Sequence, residues 1–155
     1  MRPAIPVEIL SVQYLPNADP ALCRALGVQG GWRCLGLLST DSDDATYIAL
    51  DEATKASTVQ VSYARSLYAG AANAATPLAG EVIGILSGPT PSEVRSGMEA
   101  ALGVLTGGEV GFRGTEARQE LVYLAHTVSR TGSYLSQEAG IREGEPLAYL
   151  IAPPV

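Results

Sequence analysis

The sequence predicts a domain of alternating strands and helices built around a β-α-β unit, and four observations predict it. Residues 35–38 form a short apolar run, which is typical of a buried strand. An acidic turn over residues 41–44 then offers side chains that can accept the free backbone N–H groups of a helix start. Alanine and isoleucine recur at helical spacing over residues 45–56, and apolar and polar residues alternate over residues 59–64.

The helix of this unit carries one local ion-pair prediction. Asp51 precedes Lys55 by one helical turn, a spacing that favours a salt bridge between the two side chains. Because the apolar stripe of the helix is mostly alanine, we expect it to lie close against a sheet.

The neighbouring elements follow from turn and helix signals. Residues 7–14 predict the opening strand, and residues 21–26 predict a short helix that ends at Gly27. Residues 66–80 are rich in glycine and alanine without a clear period, which indicates an exposed loop. Residues 81–87 predict the next strand.

A further helix is marked by its start signal. Thr90 and Glu93 have the spacing of a capping box, with Pro91 at the first helical position. An apolar stripe follows over residues 94–105, and Gly107 ends the helix.

The chain then repeats its own beginning. Residues 134–153 are similar to residues 21–40, and matched residues such as Gly27 and Gly140 lie 113 positions apart. Residues 121–127 occupy the position in the second copy that the opening strand occupies in the first. This self-similarity at domain length predicts a tandem duplication. Chance similarity is the alternative, because the identities are few and mostly glycine.

Composition narrows the function classes. The net charge is −6, with 16 acidic and 10 basic residues and no basic run, which argues against nucleic-acid binding. No apolar run approaches the roughly 20 residues of a membrane span, and the first residues lack the apolar core of a signal peptide. Cys23 and Cys34 have no metal-ligand pattern and are interpreted as reduced thiols. The predicted compartment is the cytosol.

Five sequence blocks carry a family resemblance: LGLLSTDSDDATYIALDEATK, RSLYAGAA, PLAGEV, LAHTVSRTGSYLS and AYLIAPP. They closely resemble the EutL-type shell proteins of ethanolamine-utilisation microcompartments, from about residue 7 to residue 155. The resemblance implies an α+β fold (an α/β sandwich), namely a circularly permuted microcompartment shell domain with a mainly antiparallel sheet and helices. It implies a first shell domain over residues 1–108 and an incomplete second copy over residues 109–155.

The resemblance also implies a function. Such proteins form trimers that look like hexagons, tile with other shell proteins into the microcompartment shell within the cytoplasm, and pass small metabolites through pores. The implied partners are other copies of the chain, other shell proteins and ethanolamine, without a cofactor, metal, nucleic acid or membrane. Because the sequence is shorter than the family at its C-terminal end, we expect the affinity for ethanolamine to be reduced or lost, and the formation of a trimeric pore is left open.

Two sets of site residues come from the resemblance. The small pore that binds ethanolamine matches five positions: Asp43, Asp44, Tyr68, Glu81 and Phe112. Carboxylates and a tyrosine hydroxyl can accept hydrogen bonds from the small ammonium alcohol, and an aromatic face favours the cation. The loop toward the trimer centre matches five positions: Tyr68, Gly70, Asn73, Pro77 and Gly80.

Other interpretations of these residues are open. Asp41, Asp43 and Asp44 at a helix start are explained by solvated capping, and an EF-hand loop is disfavoured because Thr46 stands where that loop needs glycine. An enzyme with His126 or the aspartates as base lacks an assembled nucleophile, and His126 is interpreted as structural. A small-molecule binding or sensing domain that does not tile is the main alternative function.

Overall fold

The computed structural model describes residues 3–67, 81–114 and 122–152. In chain order the elements are β1 (Ile9–Leu15), α1 (Pro20–Ala25), β2 (Cys34–Thr40), α2 (Asp43–Ala56), β3 (Gln60–Ser66), β4 (Val82–Gly88), α3 (Pro91–Thr106), β5 (Arg113–Gly114), β6 (Val122–Val128), α4 (Ser133–Ala139) and β7 (Leu147–Ile151). Each element predicted within the described residues is present.

The strands form antiparallel sheets, as the predicted fold class requires. The four-stranded sheet has the order β1-β2-β4-β3, and the three-stranded sheet has the order β5-β6-β7. Every described strand pair is antiparallel. Strands β2 and β3 of the predicted β-α-β unit both pair with β4, which lies between them, so they run in the same direction.

Helices cover the four-stranded sheet on both faces. The larger apolar core includes Leu38 and Leu86 from the sheet, Leu50 from α2 and Met98 from α3. A smaller cluster joins α1 to the opposite face. The alanine-rich α2 lies close to the sheet, as predicted: a Cβ atom at Gly84 would come within 2.6 Å of a Leu50 methyl carbon. A side chain at Gly84 would therefore push the buried Leu50 out of its place in the core.

The predicted salt bridge between Asp51 and Lys55 is wrong. Lys55 Nζ instead lies 2.6 Å from Glu52 and donates to the Arg130 carbonyl at 2.9 Å. Asp51 is buried, and its carboxylate accepts from Gly132 N at 2.7 Å and from the Leu135 backbone at 2.9 Å. The rule that pairs charges four residues apart applies when both side chains lie on the exposed face of a helix. Asp51 instead lies on the face that packs against α4.

The predicted capping box is formed in one direction only. Thr90 Oγ1 accepts from Glu93 N at 3.2 Å, and Pro91 begins α3. The Glu93 carboxylate accepts from Thr58 N at 2.8 Å, so it ties the end of α2 to the start of α3 and is not the reciprocal cap of Thr90.

The internal repeat is visible in the backbone hydrogen bonds. Val28 N donates to the Cys23 carbonyl at 3.0 Å, and the matching Ile141 N donates to the Ser136 carbonyl at 3.0 Å. The two matched glycines at positions 27 and 140 adopt φ angles of 71° and 67°, which favour glycine. The pair β1–β2 is likewise repeated by the pair β6–β7. These shared details support duplication over chance similarity, while the boundary at residue 108 stays a prediction.

Candidate functional site

The predicted binding residues centre on the start of α2. Asp43 and Asp44 occupy the first turn, and Asp44 N donates to Asp43 Oδ1 at 2.8 Å. Thr40 fixes the preceding turn, because its hydroxyl accepts from Ser42 N at 3.1 Å and bonds to Thr46 Oγ1 at 2.7 Å. The Ser42 hydroxyl is buried and has no hydrogen-bond partner among the described residues. The turn therefore presents two adjacent carboxylates at the positive end of the helix dipole.

The ionisation of Asp44 is disfavoured at this position. Burial, then the Asp43 charge, then a side-chain hydrogen bond with Asp43 raise the pKa of Asp44 from 3.8 to about 7. The neutral form of this carboxyl group is therefore favoured relative to that of an exposed aspartate. A cation bound beside it would favour the ionised form.

The sheet register brings Glu81 to the same end of the fold. Thr40 of β2 and Ser66 of β3 both pair with Val82, which directly follows Glu81. The Glu81 carbonyl accepts from Leu67 N at 2.6 Å. Glu81 consequently lies at the end of the sheet where β2 turns into α2.

Phe112 is connected to this region through the N-terminal segment. Phe112 is buried, and its carbonyl accepts from Ile5 N at 2.6 Å. Three residues later in that segment, Glu8 N donates to Asp41 Oδ1 at 2.9 Å. A short stretch of chain therefore links Phe112 to the acidic turn.

The remaining predicted site residues lie outside the described residues. These are Tyr68 of the small-pore set and the whole of the predicted central-loop set, namely Tyr68, Gly70, Asn73, Pro77 and Gly80. Their assignments stay predictions.

A cavity next to Asp44 was not predicted from the sequence. It has a volume of 330 Å³ and lies where α2, β3, α4 and β7 meet. Its ionisable lining residues are Asp44, Tyr47, Tyr134, Glu138 and Tyr149. The rings of Tyr47 and Tyr134 are 6.4 Å apart and tilted by 56°, so they form two non-parallel walls. We call this the tyrosine cavity.

Burial and acidic neighbours disfavour phenolate formation in the tyrosine cavity. Burial, followed by the charges of Asp44 and Asp51, raises the pKa of Tyr149 to about 12. Burial and Glu138 raise the pKa of Tyr134, and burial with Asp43 and Asp44 raises the pKa of Tyr47 against an opposing hydrogen bond from the Ser66 backbone. The three tyrosines therefore stay neutral hydrogen-bonding groups near acidic side chains.

His126 lines a separate groove of 570 Å³ between α2, α3 and β6. It belongs to β6 and lies opposite Tyr149 in the register with β7. Within the described residues, no group of three or more metal-ligating side chains comes together, and no helix is long and apolar enough to cross a membrane.

Comparison with known proteins identifies the fold. Residues 34–112 match the model of the BMC domain. The bacterial microcompartment shell protein EutL of Clostridium perfringens is 56% identical over 148 residues, which cover 96% of this chain and 68% of that protein. EutL of Escherichia coli is 48% identical, and the match covers 96% of this chain and 67% of that protein.

Solved structures agree with the sequence relatives. The crystal structure of EutL from Leptotrichia buccalis superposes with a TM-score of 0.87 at 52% identity, covering 97% of this chain and 69% of that one. EutL from C. perfringens gives a TM-score of 0.87 at 55% identity, with 97% and 68% covered. The relatives are shell proteins and not enzymes, and they do not favour the alternative of a sensing domain that does not tile. The chain therefore belongs to the EutL family of bacterial microcompartment shell proteins.

Proposed function

We propose that this chain is a structural subunit of a microcompartment shell and assembles as a pseudohexagonal homotrimer. The identity of 56% to a EutL shell protein over 96% of the chain carries this proposal. The internal repeat supports the symmetry. Three copies of a chain with a first shell domain over residues 1–108 and an incomplete second copy over residues 109–155 would place three complete and three partial units around an axis. Such trimers would tile with other shell proteins and pass small metabolites.

The assembly is tested by native mass spectrometry of the full chain, followed by electron microscopy. We expect a species at three times the chain mass of 16.1 kDa and, at higher concentration, flat discs or sheets. A monomer that persists at all concentrations and forms no sheets would overturn the proposal.

We further propose that the acidic end of the four-stranded sheet binds ethanolamine. Asp43, Asp44 and Glu81 supply carboxylates, and Phe112 and Tyr68 complete the site. Two features support this: the register that brings Glu81 to the α2 start, and the raised pKa of Asp44, which a bound ammonium group would lower. Charge-assisted hydrogen bonds to the carboxylates would supply most of the affinity.

Isothermal titration with ethanolamine tests this site. We expect the change Glu81→Gln to weaken binding by about tenfold, the loss of one charge-assisted hydrogen bond. Glu99→Gln is the matched control, because Glu99 is an exposed carboxylate on α3. Equal affinity of the two variants would contradict the role of Glu81.

A further inference from the structure

We infer that the tyrosine cavity is a binding site for a small methylated ammonium ion, separate from the acidic site of Glu81 and Phe112. Asp44 belongs to both the tyrosine cavity and the acidic site. The other ionisable groups of the cavity come from α2, α4 and β7 and belong to no predicted site. Neither trimer formation nor ethanolamine binding is required for an ion to bind there.

The lining of the cavity has the chemistry that recognises such an ion. Its three tyrosine rings supply aromatic faces, the carboxyl group of Glu138 supplies negative charge, and Asp44 adds a second charge once a bound cation favours its ionised form. No lysine, arginine or histidine lines it among the described residues, and neither carboxyl group takes part in the described ion pairs. Aromatic faces attract cations most when the cation is partly desolvated, and methylated ammonium ions lose little hydration on burial.

The ionisable groups that act on Tyr149 are Asp44, Asp51, Tyr47 and Glu138, all acidic or phenolic. A monocation would therefore enter a region of negative potential. The volume of 330 Å³ is within the range of small-ligand pockets and exceeds that of one such ion, which leaves room for water or a short polar substituent.

The internal repeat shows that the first copy forms the matching helix and strand without these side chains. Leu135 and Gly140 of the second copy match Leu22 and Gly27 of the first. Three of the cavity residues of the second copy correspond to small residues in the first: Tyr134 to Ala21, Glu138 to Ala25 and Tyr149 to Gly36. Helix α1 and strand β2 form without them. The second copy thus differs from the first by a polar, aromatic set concentrated at one cavity.

The test is titration of the full chain with tetramethylammonium chloride, with sodium chloride adjusted to keep the ionic strength constant. We expect saturable binding with a dissociation constant at or below about 10 mM, and shifts of the tyrosine ring resonances. Tyr149→Leu keeps an apolar side chain but removes the aromatic face, and we expect it to weaken binding at least about tenfold. Tyr149→Phe restores the ring and should bind within about threefold of the parent.

Glu81→Gln separates this inference from the ethanolamine proposal, because it alters only the acidic site. We expect it to leave tetramethylammonium binding unchanged. If Glu81→Gln abolishes that binding while Tyr149→Leu does not, the ion binds at the acidic site and the inference is overturned. Absence of saturation in the unmodified chain, or equal binding by Tyr149→Leu and Tyr149→Phe, also overturns it. If a variant does not fold, the ring resonances of the unmodified chain still decide the matter, because the inference requires them to shift with saturation.

Discussion

Helices α1 and α4 occupy matching places in the two copies of the repeat but begin in different ways. Asp19 caps α1 from within its own copy, because its carboxylate accepts from Ala21 N at 2.7 Å. At the matching position α4 has Gly132, whose backbone N–H donates to Asp51 of α2. The first copy therefore stabilises its helix locally, whereas the second relies on a carboxylate of the first.

The two helices also differ in what covers them. Leu22 of α1 is 40% exposed, whereas the matching Leu135 of α4 is 1% exposed and packs in the larger core. A side chain at position 132 would push α4 away from α2. Its Cβ would meet Thr54 Oγ1 and come within 2.9 Å of the Asp51 carbonyl oxygen. Close docking requires glycine there, and glycine has no side chain with which to cap its own helix. In the second copy, the cap of α4 therefore comes from Asp51, which is distant in the sequence, whereas in the first copy the cap of α1 comes from the adjacent Asp19.

Removal of the Asp51 carboxylate should give the largest effect. We expect Asp51→Ala to lower the free energy of unfolding by about 3 to 4 kcal/mol, because two buried N–H groups lose a charged acceptor. The matched Asp19→Ala change in the first copy should cost about 1 kcal/mol, a typical value for an exposed helix cap. Urea unfolding measures both. An equal decrease in the free energy of unfolding of the two variants would contradict this comparison, since the cap from Asp51 would then contribute no more stability than the cap from Asp19.

Truncation of the matched leucines should give the next largest contrast. We expect Leu135→Ala to cost about 3 kcal/mol, because it leaves a cavity in a buried site. Leu22→Ala should cost less than about 1 kcal/mol, because Leu22 is already partly in water. The same unfolding experiment compares them. A larger loss at Leu22 would mean that α1 is covered in solution, for example by another subunit.

The smallest predicted effect concerns Asp44, which faces cavity residues that only the second copy carries. Its pKa rises from 3.8 to about 7 on folding, so the folded state binds the extra proton between these values and stability falls as pH rises through that window. Asn at this position removes the ionisable group. We expect Asp44→Asn to gain about 1 kcal/mol over the parent at pH 8 and nothing near pH 4, a value reduced because the side chain is partly exposed and screened by solvent. Parallel stability profiles of parent and variant across this pH range would contradict it.

Local signals predicted the elements but not the contacts between the two copies. The Pro91 start and the turns at positions 27 and 140 depend on neighbouring residues, and all of them are present. Spacing pairs Asp51 with Lys55 because it reports only what lies along one helix, whereas the partner Gly132 is 81 residues away. Glu93 fails as a reciprocal cap because its carboxylate accepts from Thr58, which lies in the turn between α2 and β3 and outside the helix that Glu93 belongs to.

The small-pore site stays a prediction, and its residues come from the family resemblance. The carboxylates at the α2 start could be named from a consecutive sequence, and the β2–β4 register places Glu81 at that end of the sheet. The tyrosine cavity is lined by side chains from separate segments of the chain, so no local spacing pattern predicts it. A residue-by-residue alignment of the two copies could have found it, because Tyr134 and Tyr149 replace small residues of the first copy.

The acceptor that Asp51 provides has a consequence for hydrogen exchange. Helix α4 has only 7 residues, and a helix of that length would fray and exchange its first amide hydrogens rapidly on its own. The amides of Gly132 and Leu135 can reach deuterated solvent only when α4 separates from α2. Their exchange rates therefore report how often α4 separates from α2. Slow exchange at these two positions would show that the two copies open together as one cooperative unit.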